Sequence, residues 1–226
     1  MEWCADNKSA MNQFDRKRQL LAIGLAGLAG YVDSVGFLSA DGYFVSFMSG
    51  NTTRLGVNLG RNPAQALIPA LLIAGFILGV AAGTVVSGRA GARRKPAVLA
   101  LVCTLVLGAA SSHALGWPLA VPALLVLAMG ALNNTFQRGG DVAVGLTYMT
   151  GALVKLGQAL GAVLLGERRA GWAAYLLLWS GLATGAVLGA LAWSHVAAGA
   201  LWAAGGWGLA MLVLALRLPA DSKGVI

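Results

Sequence analysis

The chain has 226 residues, of which 58% are hydrophobic and only 11% charged, and its formal net charge at pH 7 is +8. Soluble domains carry roughly a quarter charged residues, so this composition leaves too few charges to cover a surface exposed to water. The mean hydropathy is +0.75, and the chain is predicted to be an all-α membrane protein.

The basic residues lie in short clusters between apolar runs, where charges that set membrane topology belong. They do not form a basic patch interleaved with aromatic side chains, so the expected partner is the lipid bilayer and no nucleic acid is expected. Strand-length alternation over about 10 residues, which would indicate a β-barrel, is also not seen. The clusters are Arg16-Lys17-Arg18, Arg89 with Arg93-Arg94-Lys95, and Arg168-Arg169.

Six apolar runs follow a polar tail, residues 1–18, that is predicted to be cytoplasmic. Each run has about 20 residues, which is enough for a helix to cross a hydrocarbon core of about 30 Å. A short tail, residues 218–226, is also predicted to be cytoplasmic. The runs cover about 19–39, 65–87, 97–115, 119–137, 170–193 and 197–216.

Two further stretches, about 43–60 and 143–165, are intermediate in character. The first contains FMSGNTTRLG, whose polar residues stand out from apolar neighbours. A helix break near Gly50 is predicted there, followed by a short helix that Ser49 or Asn51 would cap. Backbone that is not helical at membrane depth is tolerated only in protein or beside water, so such a break often forms a binding site.

The two intermediate stretches are copies of one another. FMSGNTTRLGVNLG (residues 47–60) aligns without gaps to YMTGALVKLGQALG (residues 148–161), at an offset of 101. The same offset places Asp33 opposite Asn134. The single transmembrane domain, residues 19–217, is therefore predicted to consist of two homologous repeats, about 19–115 and 119–217.

The distribution of Lys and Arg favours six crossings, with the intermediate stretches as re-entrant or half-helix segments. With the N-terminus inside, six crossings place thirteen of the 16 basic residues inside and only Arg61 outside, whereas eight crossings place nine inside and five outside. The first arrangement follows the positive-inside rule better. Three crossings per repeat make the two repeats inverted, as in many secondary transporters, whereas eight crossings would make them parallel.

Several polar residues in apolar surroundings are candidates for a binding site. An ionised Asp33 is costly in a membrane helix unless it is paired or hydrated, so it is a candidate coupling or substrate-amine site. The alternatives are a fixed ion pair with Arg54 or Lys155, or a position near the membrane interface. The predicted substrate or coupling-ion site comprises Asp33, Ser49, Asn51, Thr52, Arg54, Asn134, Thr150 and Lys155.

Arg54 and Lys155 occupy the same place in the two repeats. Across a pseudo-two-fold axis they would approach one another and form an anion site or a site balanced by Asp33. The alternative is that each side chain snorkels to the membrane surface.

Glycines at helical spacing predict close helix packing. They also offer surfaces for an expected homo-oligomer. The glycines are Gly75, Gly79, Gly83, Gly181, Gly185 and Gly189 in the long runs, and Gly56, Gly60, Gly157 and Gly161 in the intermediate stretches.

No motif for catalysis, metal binding or a cofactor is present. The two cysteines, Cys4 and Cys103, are far apart and have no CxxC partner. No Ser/His/Asp set, HExxH motif or nucleotide-binding loop occurs. The chain is therefore predicted not to be an enzyme and to carry neither a metal nor a cofactor.

The stretches GYVDSVGF, MSGNTTRLG and YMTGALVKLG together resemble the YoaK family of small bacterial membrane proteins, a family of unknown function. The resemblance implies an integral protein of the bacterial inner membrane and no particular substrate. The repeat pattern predicts a small secondary transporter or exporter with a site between the repeats. The alternative is a scaffold or partner subunit that does not transport and whose buried charges form structural pairs.

Overall fold

The computed structural model describes residues 16–138, 141–142, 145–147, 149–167 and 171–219. Most of the predicted N-terminal tail (1–15) and of the C-terminal tail (220–226) lies outside the described residues, as do Tyr148 of the second repeat motif and the basic pair Arg168-Arg169. The helices are α1 Arg16–Ser39, α2 Met48–Arg61, α3 Leu67–Ala90, α4 Arg94–Ala114, α5 Ala120–Leu132, α6 Thr150–Leu164, α7 Trp172–His195 and α8 Ala197–Leu216.

Four stretches among the described residues are long and apolar enough to cross a membrane. Three are single helices, α1, α7 and α8. The fourth, Pro63–Ala114, has 52 residues and contains both α3 and α4, joined by a 3₁₀ turn at Gly91–Arg93. The predicted all-α membrane class is confirmed at this level.

The fourth predicted run is shorter than expected. Helix α5 ends at Leu132 and continues only as a 3₁₀ turn at Asn133–Thr135. There the Asn133 Nδ2 donates to the Met129 carbonyl oxygen (3.0 Å) and the Thr135 hydroxyl donates to that of Leu132 (2.7 Å). Such local bonds compete with the helix, which ends before residue 137. A two-residue antiparallel pair follows, β1 Gln137–Arg138 with β2 Asp141–Val142.

Helices α2 and α6 are short. They have 14 and 15 residues, which at 1.5 Å per residue is about 21 and 23 Å, less than the roughly 30 Å of a hydrocarbon core. Helix α2 packs mainly on α3, and α6 mainly on α7. Each short helix is therefore attached to the long helix that follows it.

Helix α1 packs on α7, and the two run in the same direction. A Cβ added to Gly181 would lie 2.9 Å from the Ile23 carbonyl oxygen, and one added to Gly185 would collide with the Gly27 carbonyl oxygen. Residue numbers therefore increase in the same direction along α7 and α1. The predicted glycine series of α7 is what lets the two backbones approach.

Helices α3 and α5 form the corresponding pair. A Cβ on Gly75 would lie 2.8 Å from the Val126 side chain, and one on Gly83 would lie 2.9 Å from the Ala131 backbone. Residue numbers increase in the same direction along α5 and α3, so these two helices are also parallel.

Helices α4 and α8 run in opposite directions. Gly205 contacts Leu107 and Gly208 contacts Cys103. Residue numbers therefore increase along α8 in the direction in which they decrease along α4. Helix α8 is also antiparallel to α1. As a result α1, α4 and α7 all begin at one end of the bundle, which we call the basic end because it holds Arg16–Arg18, Arg89 and Arg93–Lys95.

The packing is the same when each helix is replaced by its counterpart in the other repeat. The pair α1–α7 becomes α5–α3, α4–α5 becomes α8–α1, and α2–α3 becomes α6–α7. The α4–α8 and α1–α5 contacts each join a helix to its own counterpart, so the exchange leaves them unchanged. The long helices bury a core of small and aliphatic side chains along α1, α4 and α5.

Four of the predicted packing glycines do not pack within the chain. A Cβ on any of them would meet no described atom within 4 Å, because the glycines lie on the open faces of α2 and α6. The prediction of close contact is therefore wrong for a single chain at Gly56, Gly60, Gly157 and Gly161.

Candidate functional site

The connection between α1 and α2 folds back on α1 and is held there by Asp33. The backbone N–H groups of Val45 and Ser46 donate to the Asp33 Oδ1, at N···O distances of 3.0 and 2.7 Å. Val45 is fully buried and Ser46 nearly so. Hydrogen bonds to a carboxylate are roughly twice as strong as neutral ones, so Asp33 fixes the connection against the membrane helix.

Asn51 holds the same connection from the other side. Its Nδ2 donates to the Phe44 carbonyl oxygen (2.7 Å), and its Oδ1 accepts from the Phe44 N–H (3.1 Å). The side chain is 0% exposed. The carboxamide thus pairs with both backbone groups of Phe44, a residue that lies in neither a helix nor a strand.

The predicted cap of α2 is wrong. The helix begins at Met48, so Ser49 and Asn51 lie inside it, and no side chain of the described residues caps it. Gly50 lies in the first turn rather than at a break. A Cβ there would lie 2.5 Å from the Phe47 ring, so glycine at this position makes room for the ring.

Arg54 lies among aromatic rings. Its guanidinium carbon is 5.0 Å from the ring centre of Tyr43 and 6.0 Å from those of Phe37 and Phe44. These distances are typical of cation–π contacts. Gly42 adopts φ +81°, and a Cβ there would lie 3.3 Å from the Arg54 Nη2. We call Asp33, Phe44, Ser46, Asn51 and Arg54 the Asp33 cluster.

The remaining polar residues of the motif face away from this cluster. Ser49 and Thr52 are exposed. The Thr52 hydroxyl donates to the Met48 carbonyl oxygen of its own helix at 2.8 Å. These two predicted site residues therefore lie on the outer face of α2.

The second repeat forms its own cluster around Asn134. The Asn134 Nδ2 donates to the Val80 carbonyl oxygen (3.0 Å). Its Oδ1 accepts from the Thr84 hydroxyl (3.0 Å) and the Gln137 Nε2 (2.7 Å). The Ser87 hydroxyl in turn donates to the Gln137 Oε1 at 3.0 Å. We call Thr84, Ser87, Asn133, Asn134, Gln137 and Thr147 the Asn134 cluster.

Asn133 and Thr147 supply the counterpart of the Asp33 link. The Asn133 Nδ2 lies 3.0 Å from the Thr147 Oγ1, and the Thr147 hydroxyl lies 3.2 Å from the Asn133 Oδ1. Thr147 stands opposite Ser46 at the repeat offset. In both repeats, a polar residue near the end of the first helix thus holds the connection before the short helix by hydrogen bonds.

Lys155 is exposed and lies against Tyr175. Its Nζ donates to the Tyr175 hydroxyl oxygen (2.9 Å) and is 4.9 Å from the ring centre. Thr150, the first residue of α6, is also exposed. Neither belongs to the Asn134 cluster.

Lys155 and the Asp33 cluster lie near opposite ends of the bundle. Phe37, beside that cluster, is ten residues after Gly27, and Tyr175, beside Lys155, is ten residues before Gly185. Because Gly27 contacts Gly185 and their helices run parallel, the two levels differ by about 30 Å at 1.5 Å per residue. The Asn134 cluster lies where α3 and α5 end, which is the basic end.

Two expectations for the charged residues are therefore wrong. Arg54 and Lys155 do not approach one another, since each lies at a different end. Asp33 forms no ion pair with either cation in the part of the chain that the structure describes, because its carboxylate is bound by backbone N–H groups. The eight predicted site residues thus do not form one site.

Several cluster members were missed from the sequence. Thr84 and Ser87 lie in the apolar helix α3, for which the sequence predicts only packing glycines. Thr147 was detectable, because the repeat offset aligns it with Ser46. Among the described residues, no group of three or more His, Cys, Asp and Glu is arranged to hold a metal ion.

Long helices with many exposed Leu, Ile and Val side chains, such as Leu71, Ile77 and Leu78, surround these buried polar clusters. Such an arrangement is inside-out relative to a soluble protein and defines a polytopic α-helical membrane protein. In lipid, buried polar groups must be satisfied within the protein, and the two clusters meet that requirement.

The chain belongs to the family described as "Protein of unknown function (DUF1275)", whose model matches residues 21–214. It is 37% identical over 182 residues to UPF0700 transmembrane protein RA0705 of Rhizobium meliloti (strain 1021), covering 77% of this chain and 78% of the relative. It is 28% identical over 136 residues to UPF0700 transmembrane protein YoaK of Bacillus subtilis (strain 168), covering 57% and 60%. The resemblance to the YoaK family is confirmed.

The names of both relatives agree with the membrane class. No solved structure matches the chain.

Proposed function

We propose that the chain is a small secondary transporter or exporter of a small solute, built from two inverted repeats. The observation that carries this proposal is the pair of matched polar clusters near opposite ends of the bundle. Each cluster ties the connection before a short helix to the first helix of its repeat. In alternating access, one such link opens while the other stays closed.

The helix directions support inverted repeats. Helix α1 begins at the basic end, whereas its counterpart α5 ends there, and the same reversal relates α3 to α7 and α4 to α8. Three crossings per repeat, by α1, α3 and α4 in the first and by α5, α7 and α8 in the second, fit these directions, and α2 and α6 are then the half-helix segments. An eight-crossing chain would instead run α4 and α8 in the same direction, contrary to their contacts.

The charges support an orientation with the basic end in the cytoplasm of a bacterial inner membrane. That end carries Arg16–Arg18, Arg89, Arg93–Lys95 and Arg217, whereas the described residues of the opposite end carry only Arg54 and Arg61. Cytoplasmic ends carry the excess of Lys and Arg. Both termini are then cytoplasmic.

In this proposal Asp33 is the switch of one gate. It lies inside a membrane-spanning helix, where a carboxylate is a functional site by default, and it is held by two backbone N–H groups. A proton or a solute cation that binds the carboxylate competes with those bonds and releases the connection. Arg54, on the short helix α2 that follows the connection, would attract the anionic part of a solute as the gate opens.

The open glycine faces of α2 and α6 support a homo-oligomer as part of the same proposal. Gly56 and Gly157 leave these surfaces flat, which favours close helix contact between copies. The mass of the protein in detergent, from light scattering, measures this directly.

A thermal-shift screen of the purified protein against inorganic ions and small metabolites tests the function. We expect a selective stabiliser that raises the Tm of the wild type but not of Asp33→Asn. The Asn variant keeps an oxygen for the Val45 and Ser46 N–H groups, so it should insert and fold. In proteoliposomes, transport of that ligand should be lost in Asp33→Asn and in Arg54→Ala.

Full transport by either variant would contradict the site assignment. The rival function is a scaffold or partner subunit, which the complete internal hydrogen bonding of Asn51 favours. A scaffold gives no selective stabiliser in the same screen, and Asp33→Asn then keeps every measurable property.

A further inference from the structure

A cavity of about 280 Å³ opens at the basic end, between the start of α4 and the end of α8. Arg93 and Lys95 line one side. Leu216, Leu218 and Pro219 line the other. The cavity therefore combines two cations with an apolar wall, and it is separate from both polar clusters.

The two cations differ in their surroundings. Lys95 is only 8% exposed, and its Nζ lies 5.9 Å from the ring centre of Phe136. Arg93 is exposed, and its guanidinium forms no hydrogen bond or ion pair with the described residues. Lys95 is thus held in the wall of the cavity, and Arg93 is available to bind a ligand.

The position of the cavity identifies the class of ligand. It lies where the apolar helix α8 ends and α4 begins, a level at which the proposed orientation puts lipid headgroups, and Leu209, Val213 and Leu216 expose an apolar track along α8. Basic pockets between transmembrane helices suit anionic headgroups. A soluble phosphate would use the cations but leave the apolar wall without a partner.

We propose that this cavity binds the phosphate-bearing headgroup of an anionic phospholipid. The phosphate contacts Arg93 and Lys95, and an acyl chain lies along the exposed side of α8. Because α4 and α8 are counterpart helices of the two repeats, a bound lipid bridges the repeats at one end. The site does not depend on whether the protein transports a solute.

Native mass spectrometry of the full chain tests the proposal. The protein in neutral detergent is titrated with dioleoyl phosphatidylglycerol and, separately, with dioleoyl phosphatidylcholine. We expect preferential retention of phosphatidylglycerol, and about five-fold weaker binding in Arg93→Ala. The matched control, Arg89→Ala, removes an exposed charge at the same end but outside the cavity and should bind as the wild type does.

Leu216→Trp provides a second variant that keeps all the charges. It should fill the apolar side of the cavity and reduce phosphatidylglycerol binding while the Tm stays near that of the wild type. Equal binding of the two lipids, or equal losses in Arg93→Ala and Arg89→Ala, would overturn the proposal. Stabilisation by inorganic phosphate without retention of lipid would also overturn it, because the site would then bind a soluble anion.

Discussion

Asp33 and Asn134 occupy the same position in the two repeats, yet they make opposite kinds of bond. The Asp33 carboxylate only accepts, and it takes two backbone N–H groups of the connection. The Asn134 amide both donates and accepts, and it bonds to α3. Among the residues named in the two clusters, Asp33 is thus the one carboxylate, and it lies in the first repeat.

The Asn51 carboxamide should contribute strongly to stability. Asn51→Ala leaves the N–H and carbonyl of the half-buried Phe44 without these partners, and an unsatisfied buried group costs about 1–3 kcal/mol. We expect a clear fall in the Tm of the detergent-solubilised protein. Ser49→Ala, on the exposed face two residues earlier, is the control and should change the free energy of unfolding by no more than about 0.5 kcal/mol. Similar effects of the two substitutions would show that the pairing with Phe44 is not structural.

The sequence identified Asp33, Asn51 and Asn134 because polar residues stand out in apolar runs and the repeat aligned two of them. It did not identify their partners. Asp33 and Asn51 bond to the backbone of residues 44–46, and any residue type can supply backbone groups. From residue type alone, an ion pair with Arg54 or Lys155 stays an alternative for Asp33, because only charged partners are visible in a sequence.

At the scale of elements, the glycines separate into two groups that the sequence does not distinguish. Those of α3 and α7 meet the backbones of α5 and α1, whereas those of α2 and α6 face away from the chain. The spacing is the same in both groups. Whether a small-residue face is covered depends on which helix lies next to it, and that is decided by the tertiary arrangement.

Gly185 and Gly157 should therefore respond differently to the same substitution. Gly185→Ala places a methyl group against the Gly27 carbonyl oxygen, and overpacking of this kind costs about 1–3 kcal/mol. Gly157→Ala meets no described atom of its own chain, so in the monomer it should be neutral or stabilise α6 by up to about 1 kcal/mol, since alanine favours a helix over glycine. Thermal unfolding in detergent measures both. A Gly185→Ala variant as stable as the wild type would contradict the assigned α1–α7 contact, and a loss of stability in monomeric Gly157→Ala would contradict the open face of α6.

Element lengths were predictable wherever a run was apolar throughout. Helices α1, α3, α4, α7 and α8 lie close to their expected ranges. Helix α5 ends early because Asn133 and Thr135 bond to nearby carbonyl groups, a competition that hydropathy does not record. The short β1–β2 pair was missed, since two-residue strands carry no period.

At the scale of the whole molecule, the direction of each helix decides whether the two repeats are inverted or parallel. The repeat and the positive-inside rule together indicated inverted halves from the sequence. They did not indicate that the two polar clusters lie near opposite ends, because the sequence predicts only that equivalent cations approach one another across the pseudo-two-fold axis. In the proposed inverted arrangement, equivalent ends of the first helices lie at opposite faces, which agrees with the separation of the two clusters.

Labelling of single cysteines from each side of the membrane tests inverted repeats most directly. In a background of Cys4→Ser and Cys103→Ala, cysteines replace Ala92, Trp117 and Val196, which are exposed positions at helix ends. With an impermeant maleimide, we predict that positions 117 and 196 label from one face and position 92 only from the other. Labelling of positions 117 and 196 from opposite faces, as eight crossings require, would contradict the inverted arrangement and with it the two-gate transporter.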